Sequence, residues 1–427
     1  MSDKIFQLLP KAQNYAWGKI GSKSKVAELV SNAYSEISID KKKNYAELWM
    51  GTHPNAPSLK MGTGENLKDI VVANPDLLTP GIARKYNGDL PFLFKVLSIQ
   101  KALSIQAHPD KKLAEQLYQK YPDIYKDSNH KPEMAIALTP FEGLCGFRPL
   151  QEIKNNIEDY PEIIDAIGKD IVDEFMAVIS NGTSTNYKYL ERSRKALKKL
   201  YKSLMEQDQE IVKKQVSSLV RRISREDPFP AKGSLNEVIK RIEAQYPSDV
   251  GVFSIILLNY VFLKPGEGLY LAADEPHAYI SGDCIECMAT SDNVVRAGLT
   301  PKFKDVNTLV NMLTYTTKSA ENQIITGEPY LRSSTTVLYN PPIEEFSILR
   351  TTLSPTHKRS ESFRGIRGPS IVIVTEGDGR IIFKDKIYDA CKGSIFFIGA
   401  NIPITLEAVN GKTTFYRAFT ELLRSRL

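Results

Sequence analysis

Histidine is scarce in this chain: 427 residues carry five, His53, His108, His130, His277 and His357. A metal centre built on imidazoles therefore has few members to draw on, and the segment beyond His357 cannot hold a second one. Cysteine is scarcer. Cys145, Cys284, Cys287 and Cys391 are too few to frame so long a chain with disulfides, and reduced thiols fit the cytosol. No stretch approaches the 18 uninterrupted apolar residues of a membrane-spanning helix. Met1-Ser2-Asp3-Lys4-Ile5-Phe6 also lacks the charged-then-apolar pattern of a secretory signal. An excess of one charge sign is missing as well: 56 Lys and Arg against 50 Asp and Glu leave +6, which suits small anions without demanding nucleic acid or a membrane surface. There is no low-complexity tract. The doubling of Leu97-Ser98-Ile99-Gln100 as Leu103-Ser104-Ile105-Gln106 is too short to be a structural repeat. The expectation is a soluble, cytoplasmic protein of two or three domains, with 42% apolar and 25% charged residues in the ordinary globular range.

Up to about residue 150 short apolar runs alternate with Gly, Pro and Asn breaks, which reads as mostly β with insertions. From Glu152 to Tyr246 the spacing becomes helical: Leu197, Leu200, Tyr201 and Leu204, then Ile211, Val212, Val216, Leu219 and Ile223 recur near 3.6. Ser234 followed by Glu237 is a capping-box signature, so the last helix of this stretch is expected to start there. Its Lys and Arg residues are interspersed with Glu206, Asp208, Glu210 and Glu226 and read as a solvated helix face, not a nucleic-acid surface. From Val252 strand signals return, first in Phe253-Ser254-Ile255-Ile256-Leu257-Leu258 and then in Leu269-Tyr270-Leu271. After residue 335 short strands recur, with turns such as Glu376-Gly377-Asp378-Gly379 between them, as in a sandwich or jelly roll. The expected segments are 1–150, a helical insert over 151–250, 251–334 as the continuation of the first β part, and 335–427 as a second β domain.

Ser104-Ile105-Gln106-Ala107-His108-Pro109 is the most informative string. In an extended chain Ser104, Gln106 and His108 share one face, and a polar face next to the apolar 90–99 run needs partners, a ligand or a metal. Two other strings hold suitable donors: His130-Lys131-Pro132-Glu133 and Asp274-Glu275-Pro276-His277. Gln106, His108, Glu133 and His277 together would supply two imidazoles, one carboxylate and one amide oxygen, a set suited to zinc or another borderline ion. Its single negative charge would leave the ion a Lewis acid. The plainer alternative is that Glu133 pairs with Lys131 and that His277 closes a turn; spacing alone does not decide. Cys284-Ile285-Glu286-Cys287 is read against a redox or zinc-ribbon role, because on a strand positions i and i+3 face opposite ways. Trp17 and Trp49 could shape a sugar pocket by stacking, an ordinary core role being the plainer reading.

These strings, with Asn14-Tyr15-Ala16-Trp17-Gly18, Glu47-Leu48-Trp49-Met50-Gly51-Thr52-His53-Pro54, Gly143-Leu144-Cys145-Gly146-Phe147-Arg148 and Ser291-Asp292-Asn293-Val294-Val295-Arg296-Ala297-Gly298-Leu299-Thr300, closely resemble the type I phosphomannose isomerases, in particular their fungal and animal branch. The resemblance spans almost the whole chain. It implies a mixed, mainly β fold, with a cupin-type jelly-roll catalytic domain, an α-helical insert and a second, metal-free jelly roll at the C-terminus. It implies one zinc per chain held by Gln106, His108, Glu133 and His277, a sugar-phosphate substrate, a monomer, and interconversion of mannose 6-phosphate and fructose 6-phosphate that feeds mannose activation for glycans. Of the cations near the motifs, Lys95, Lys131, Arg296 and Lys302, an Arg can hold phosphate bidentately and a Lys acts as a point charge. By resemblance Ser104, Lys95 and Lys302 are substrate-pocket candidates. Lys131 belongs with them and with the catalytic group, Arg296 is the first catalytic candidate, and Glu286 and Asp292 are the candidate proton carriers. Which of those two is the base stays open. Two other functions compete: a metal-dependent cupin oxygenase or epimerase, which would want more histidines, and a non-catalytic sugar-phosphate sensor.

Overall fold

Strand-forming residues dominate both ends of the chain, and they build two large antiparallel sheets, with a group of helices inserted in sequence between two strands of the first, Phe141–Phe147 and Leu258–Leu263. The computed structural model describes residues 3–180 and 187–422. In the first sheet the order is Ile324–Ile325, Gly268–Leu271, Glu133–Ala137, His277–Ala289, Phe92–Ile99, Glu47–Met50 and Lys11–Gln13. The strands Ile105–Ala107, Val295–Gly298, Phe141–Phe147 and Leu258–Leu263 extend this sheet from the first half of His277–Ala289.

The 13-residue strand His277–Ala289 is therefore shared by both walls of a barrel, and it can only do so by changing face midway. Tyr279 and Cys284 lie in the same interior core, with Leu97, Ile99, Ala135 and Phe141. An odd spacing of five puts residues of a regular strand on opposite faces. The change occurs where the register against Phe141–Phe147 slips between Glu142 and Gly143, which leaves Ile280 as the extra residue between Tyr279 and Ser281; Gly282, at φ +113°, follows directly. A Cβ at Gly282 would stand 2.6 Å from the Pro140 carbonyl oxygen, so the chain leaving the bulge requires glycine there. Beyond the bulge the strand alternates cleanly. Cys284 points into the barrel, Cys287 points into the core between the two sheets, and their thiols never face each other.

That intersheet core holds Phe94, Val96, Met134, Ile136 and Ile285 from the first sheet and Ile348, Ile371, Phe397 and Tyr416 from the second. The second sheet runs Glu328–Pro329, Thr336–Tyr339, Ser347–Leu353, Ile404–Phe419, Ser370–Phe383, Ile395–Ile398, Ile5–Leu9 and Leu59–Lys60. Two expectations change here. Glu376-Gly377-Asp378-Gly379 is not a turn between two strands: Ser370–Phe383 runs through it, absorbing three register slips. The N-terminal strand Ile5–Leu9 pairs with Ile395–Ile398, so the boundaries 1–150 and 335–427 cut across a sheet that takes strands from both ends and begins its C-terminal portion at Glu328.

The helices between Leu150 and Leu257 pack around Leu197, Leu200, Val216, Leu219, Val238 and Ile242. Ser234 caps the Leu235–Gln245 helix by accepting from the Glu237 N–H at 3.3 Å, and the Glu237 carboxylate accepts in return from Gly233 N–H. This is not the last helix, however. Phe253-Ser254-Ile255-Ile256-Leu257, expected as strand, lies in the helix Gly251–Leu257 and only at Leu258 does a strand begin. Every residue of that helix is buried, so it carries no polar face and its apolar run shows no period. Among the described residues no helix is long and apolar enough to cross a membrane.

Candidate metal centre

Three strands bring the donor residues together by register alone. His277 lies opposite Gln106, and Gln106 lies opposite Arg296, which sets these three side chains side by side on one face. Glu133 enters from the neighbouring wall, paired with Met288 two residues beyond Glu286. The bulge at Ile280, just before Gly282, is what allows His277 and Glu286 to face the same interior.

The donors of His108, Glu133 and His277 lie within 4.8 Å of one another, all buried. His108 Nδ1 is 2.7 Å from the Asn293 carbonyl oxygen and His277 Nδ1 is 3.0 Å from that of Glu275. A carbonyl can only accept, so each Nδ1 carries the proton and each Nε2 presents a lone pair. Those two Nε2 atoms stand 3.4 Å from Oε1 and Oε2 of Glu133 respectively. Both Nε2 atoms and Glu133 Oε2 are buried without a hydrogen-bond partner. Three acceptors converging without a donor is unfavourable for protein alone and is what a cation resolves. Two imidazoles and a carboxylate, with the Gln106 amide beside His277, fit zinc. Burial pushes the His108 imidazole down to about 4, with the Lys131 ammonium adding to the effect. Burial works against an ionised Glu133, yet the facing His108 ring and the Lys131 ammonium, with Nζ at 3.4 Å, hold its carboxyl well below the usual range. Both readings of Glu133 thus coexist: it faces the imidazoles and pairs with Lys131.

A second group adjoins the first. Lys95 Nζ lies 2.9 Å from Glu286 and 3.4 Å from Glu47, and 5.0 Å over the Trp49 ring. Burial, with the charges of Glu133 and Glu47, raises the Glu286 carboxyl against the opposing pull of Lys95. Although burial lowers it, the carboxylates around Lys95 raise its ammonium further. Trp49 Nε1 donates to Glu47, and the Trp49 ring meets His53 edge-on at 4.9 Å. His53 Nδ1 accepts from Asn55 N–H at 3.3 Å, leaving Nε2–H to face Asp292 Oδ1 at 3.5 Å. That contact with His53 keeps the Asp292 carboxyl below its ordinary value.

The remaining candidates separate. Arg296 is half-buried and makes no ion pair among the described residues, and burial lowers its guanidinium. Ser104 is half-buried immediately before the Ile105–Ala107 strand. Lys302 is exposed and lines a groove with Lys101, Gln245, Tyr246 and Phe303, contributing no contact to the donor cluster. Sequence reading missed four contributors. The sequence offers no role for Glu47 and His53 and favours a core place over a sugar-stacking one for Trp49, although the Glu47-x-Trp49 alternation places both on the face that Lys95 occupies. Asn293 was not singled out: its carbonyl holds His108 while its amide donates to the carbonyls of Asp127 and Asn129, at 2.7 and 3.0 Å. His130, beside Lys131, instead reaches Glu345 at 2.7 Å and ties this loop to the second sheet's side of the molecule.

Comparison with known proteins agrees over nearly the full length. Family models described as Phosphomannose isomerase type I match residues 5–150 (catalytic domain), 166–258 (helical insertion domain) and 336–386 (C-terminal). The chain is 46% identical to the mannose-6-phosphate isomerase of Saccharomyces cerevisiae, covering 99% of this chain and 100% of that one. It is 46% identical to that of Candida albicans, covering 98% and 99%. Among solved structures it is similar to a mannose 6-phosphate isomerase bound with zinc and yttrium, at TM-score 0.83 and 30% identity over 98% of this chain and 100% of that one. A substituted form of phosphomannose isomerase from Salmonella typhimurium gives the same TM-score, identity and coverage.

Proposed function

This chain belongs to the type I phosphomannose isomerase family, and on that premise we propose that it is a zinc-dependent aldose–ketose isomerase. It interconverts mannose 6-phosphate and fructose 6-phosphate by moving a proton between adjacent carbons through an enediol(ate). The single observation that carries the zinc dependence is the convergence of three buried, donorless acceptors, His108 Nε2, His277 Nε2 and Glu133 Oε2. With Gln106 they would hold one zinc per chain, which when bound supplies Lewis-acid polarisation of a sugar oxygen.

The chain's own residues divide the remaining work. Glu286 is the proton carrier. Its raised carboxyl matches a base that must take a proton and return it near neutral pH. Asp292, held low by His53 and half-exposed, is a weaker base and orients His53 at the pocket wall. Lys95 has both of its near contacts on carboxylates. It therefore positions Glu286 and is not a free phosphate donor, which revises its place among the substrate-pocket candidates. Arg296, carrying an uncompensated charge beside Gln106, binds developing negative charge on the substrate, and Lys131 adds a second cation on the Glu133 side. Ser104 continues the same strand face toward the outside, and Lys302 belongs to the outer groove.

The division into 1–150 as catalytic, 151–250 as the insert and 335–427 as a second barrel is supported by family models over 5–150, 166–258 and 336–386, and 251–334 is joined to the catalytic part by its strands in the first sheet. Its edges are amended by the Ile5–Leu9 pairing. A monomer working in the cytoplasm completes the proposal. A coupled assay that detects fructose 6-phosphate from mannose 6-phosphate, run with and without a chelator, tests it. Turnover that the chelator abolishes and zinc restores is the expected result. Chelator-insensitive turnover would remove the metal, and zinc bound with no turnover would indicate a sensor.

A further inference from the structure

Away from the metal centre, a cleft of about 490 Å³ opens where the two barrels meet, a volume in the range of small-molecule sites. Lys25, Lys392, Lys412 and Arg350 line it, against only Glu28 and Glu376. Lys25 and Lys392 share Glu28, at 3.0 and 2.8 Å, and Lys412 takes Glu376 at 3.0 Å. Arg350 has no carboxylate: among the described residues it makes no ion pair, lying opposite Tyr416 in the strand register. Four cations against two carboxylates leave the cleft two positive charges in excess.

The guanidinium is built into its place. Arg350 lies against the backbone of Gly266, where a Cβ would collide with it. Gly266, at φ +89°, is fixed from the other side by the Tyr339 hydroxyl, which donates to its carbonyl at 2.6 Å. Hydroxyls of Thr352, Thr375 and Thr414 complete the lining. We propose that this cleft binds a small phosphate monoester, whose dianion matches the excess charge and whose oxygens suit a planar guanidinium flanked by lysines and hydroxyls. The site goes beyond the isomerase reading and is separate from the catalytic pocket. Its floor, Ala137 and Leu138, adjoins the far end of the strand that begins at Glu133, and Gly266 N–H donates to the Ala137 carbonyl at 2.9 Å.

Hydrogen exchange of the zinc-loaded full chain tests this, with inorganic phosphate in one arm and glucose 6-phosphate in the other, so that free phosphate and a sugar phosphate are told apart. Slowed exchange over 263–267 and 349–353 with glucose 6-phosphate is expected for the wild type and is expected to vanish in Arg350→Gln, whereas protection by inorganic phosphate alone would overturn a monoester site. Lys412→Gln, altering a largely exposed lysine, should weaken the same protection without disturbing the fold. Both variants should isomerise within about twofold of wild type in phosphate-free buffer, so failure here and failure of the isomerase reading give different results. Protection confined to the catalytic strands, or protection at the cleft that is unchanged in both variants, would overturn the proposal.

Discussion

At the level of single residues the donor set and the groups behind it should respond differently to substitution. His277→Ala removes one of the two imidazoles facing Glu133, so bound zinc and activity should be lost together. Arg296→Ala leaves those donors in place and should keep the metal while losing about 10²- to 10⁴-fold in turnover, the range for a positioned catalytic group. Metal analysis of each purified variant beside its rate checks both, and zinc retained by the first would show the donor set to be wrong. Lys95→Met leaves Glu286 and Glu47 buried without their cation, and breaking a buried pair in this way costs about 3–5 kcal/mol. The sign of its pH dependence follows from linkage. Glu286 is already raised in the folded state, and losing Lys95 raises it further. Stability is therefore kept below the unfolded carboxylate range and lost as pH rises through the folded value. The gap in melting temperature between variant and wild type should accordingly narrow on acidification, and a gap independent of pH would contradict this charge network.

Among elements, the strand His277–Ala289 decides most. Without the bulge at Ile280, which Gly282 follows, its two halves would send His277 and Glu286 to opposite faces. Gly282→Ala forces a side chain into a positive-φ position against the Pro140 carbonyl, at a cost of about 1–3 kcal/mol. Thermal unfolding should show that loss, and zinc affinity measured on the same sample should fall with it. Unchanged affinity would mean that His277 is placed by something other than the bulge. Periodicity made the long helices legible because each has a polar face; Gly251–Leu257, enclosed on all sides, has none and reads as a strand.

For the molecule as a whole, one core joins both sheets, holding Phe6 and Leu8 beside Ile285, Ile371 and Phe397. Deleting residues 1–10 would uncover the Ile395–Ile398 edge and remove the buried Ile5, Phe6 and Leu8, each worth about 1.5–3 kcal/mol when fully buried. The truncated chain should melt far below the full chain and aggregate through its open edge. Chelation should also lower the melting temperature of the intact chain, because the ion stabilises only the folded state, and added zinc should restore it. A melting temperature indifferent to chelator would set aside a bound cation.

By itself the sequence determined the chemistry on offer: few histidines, an alternating Ser104-x-Gln106-x-His108 string, Glu133 and His277 in polar surroundings, and the family strings that link them. It also set the helical insert and the presence of two β-rich parts, because period and composition are local properties. Only the tertiary structure decided that residues 106, 133, 277 and 296 are neighbours, that Lys95 is committed to two carboxylates, and that Glu47, His53 and Asn293 support the site. It also decided that the first strand closes the last sheet. These depend on strand register and on one bulge, which arise from pairings between distant segments and leave no mark in the spacing of nearby residues.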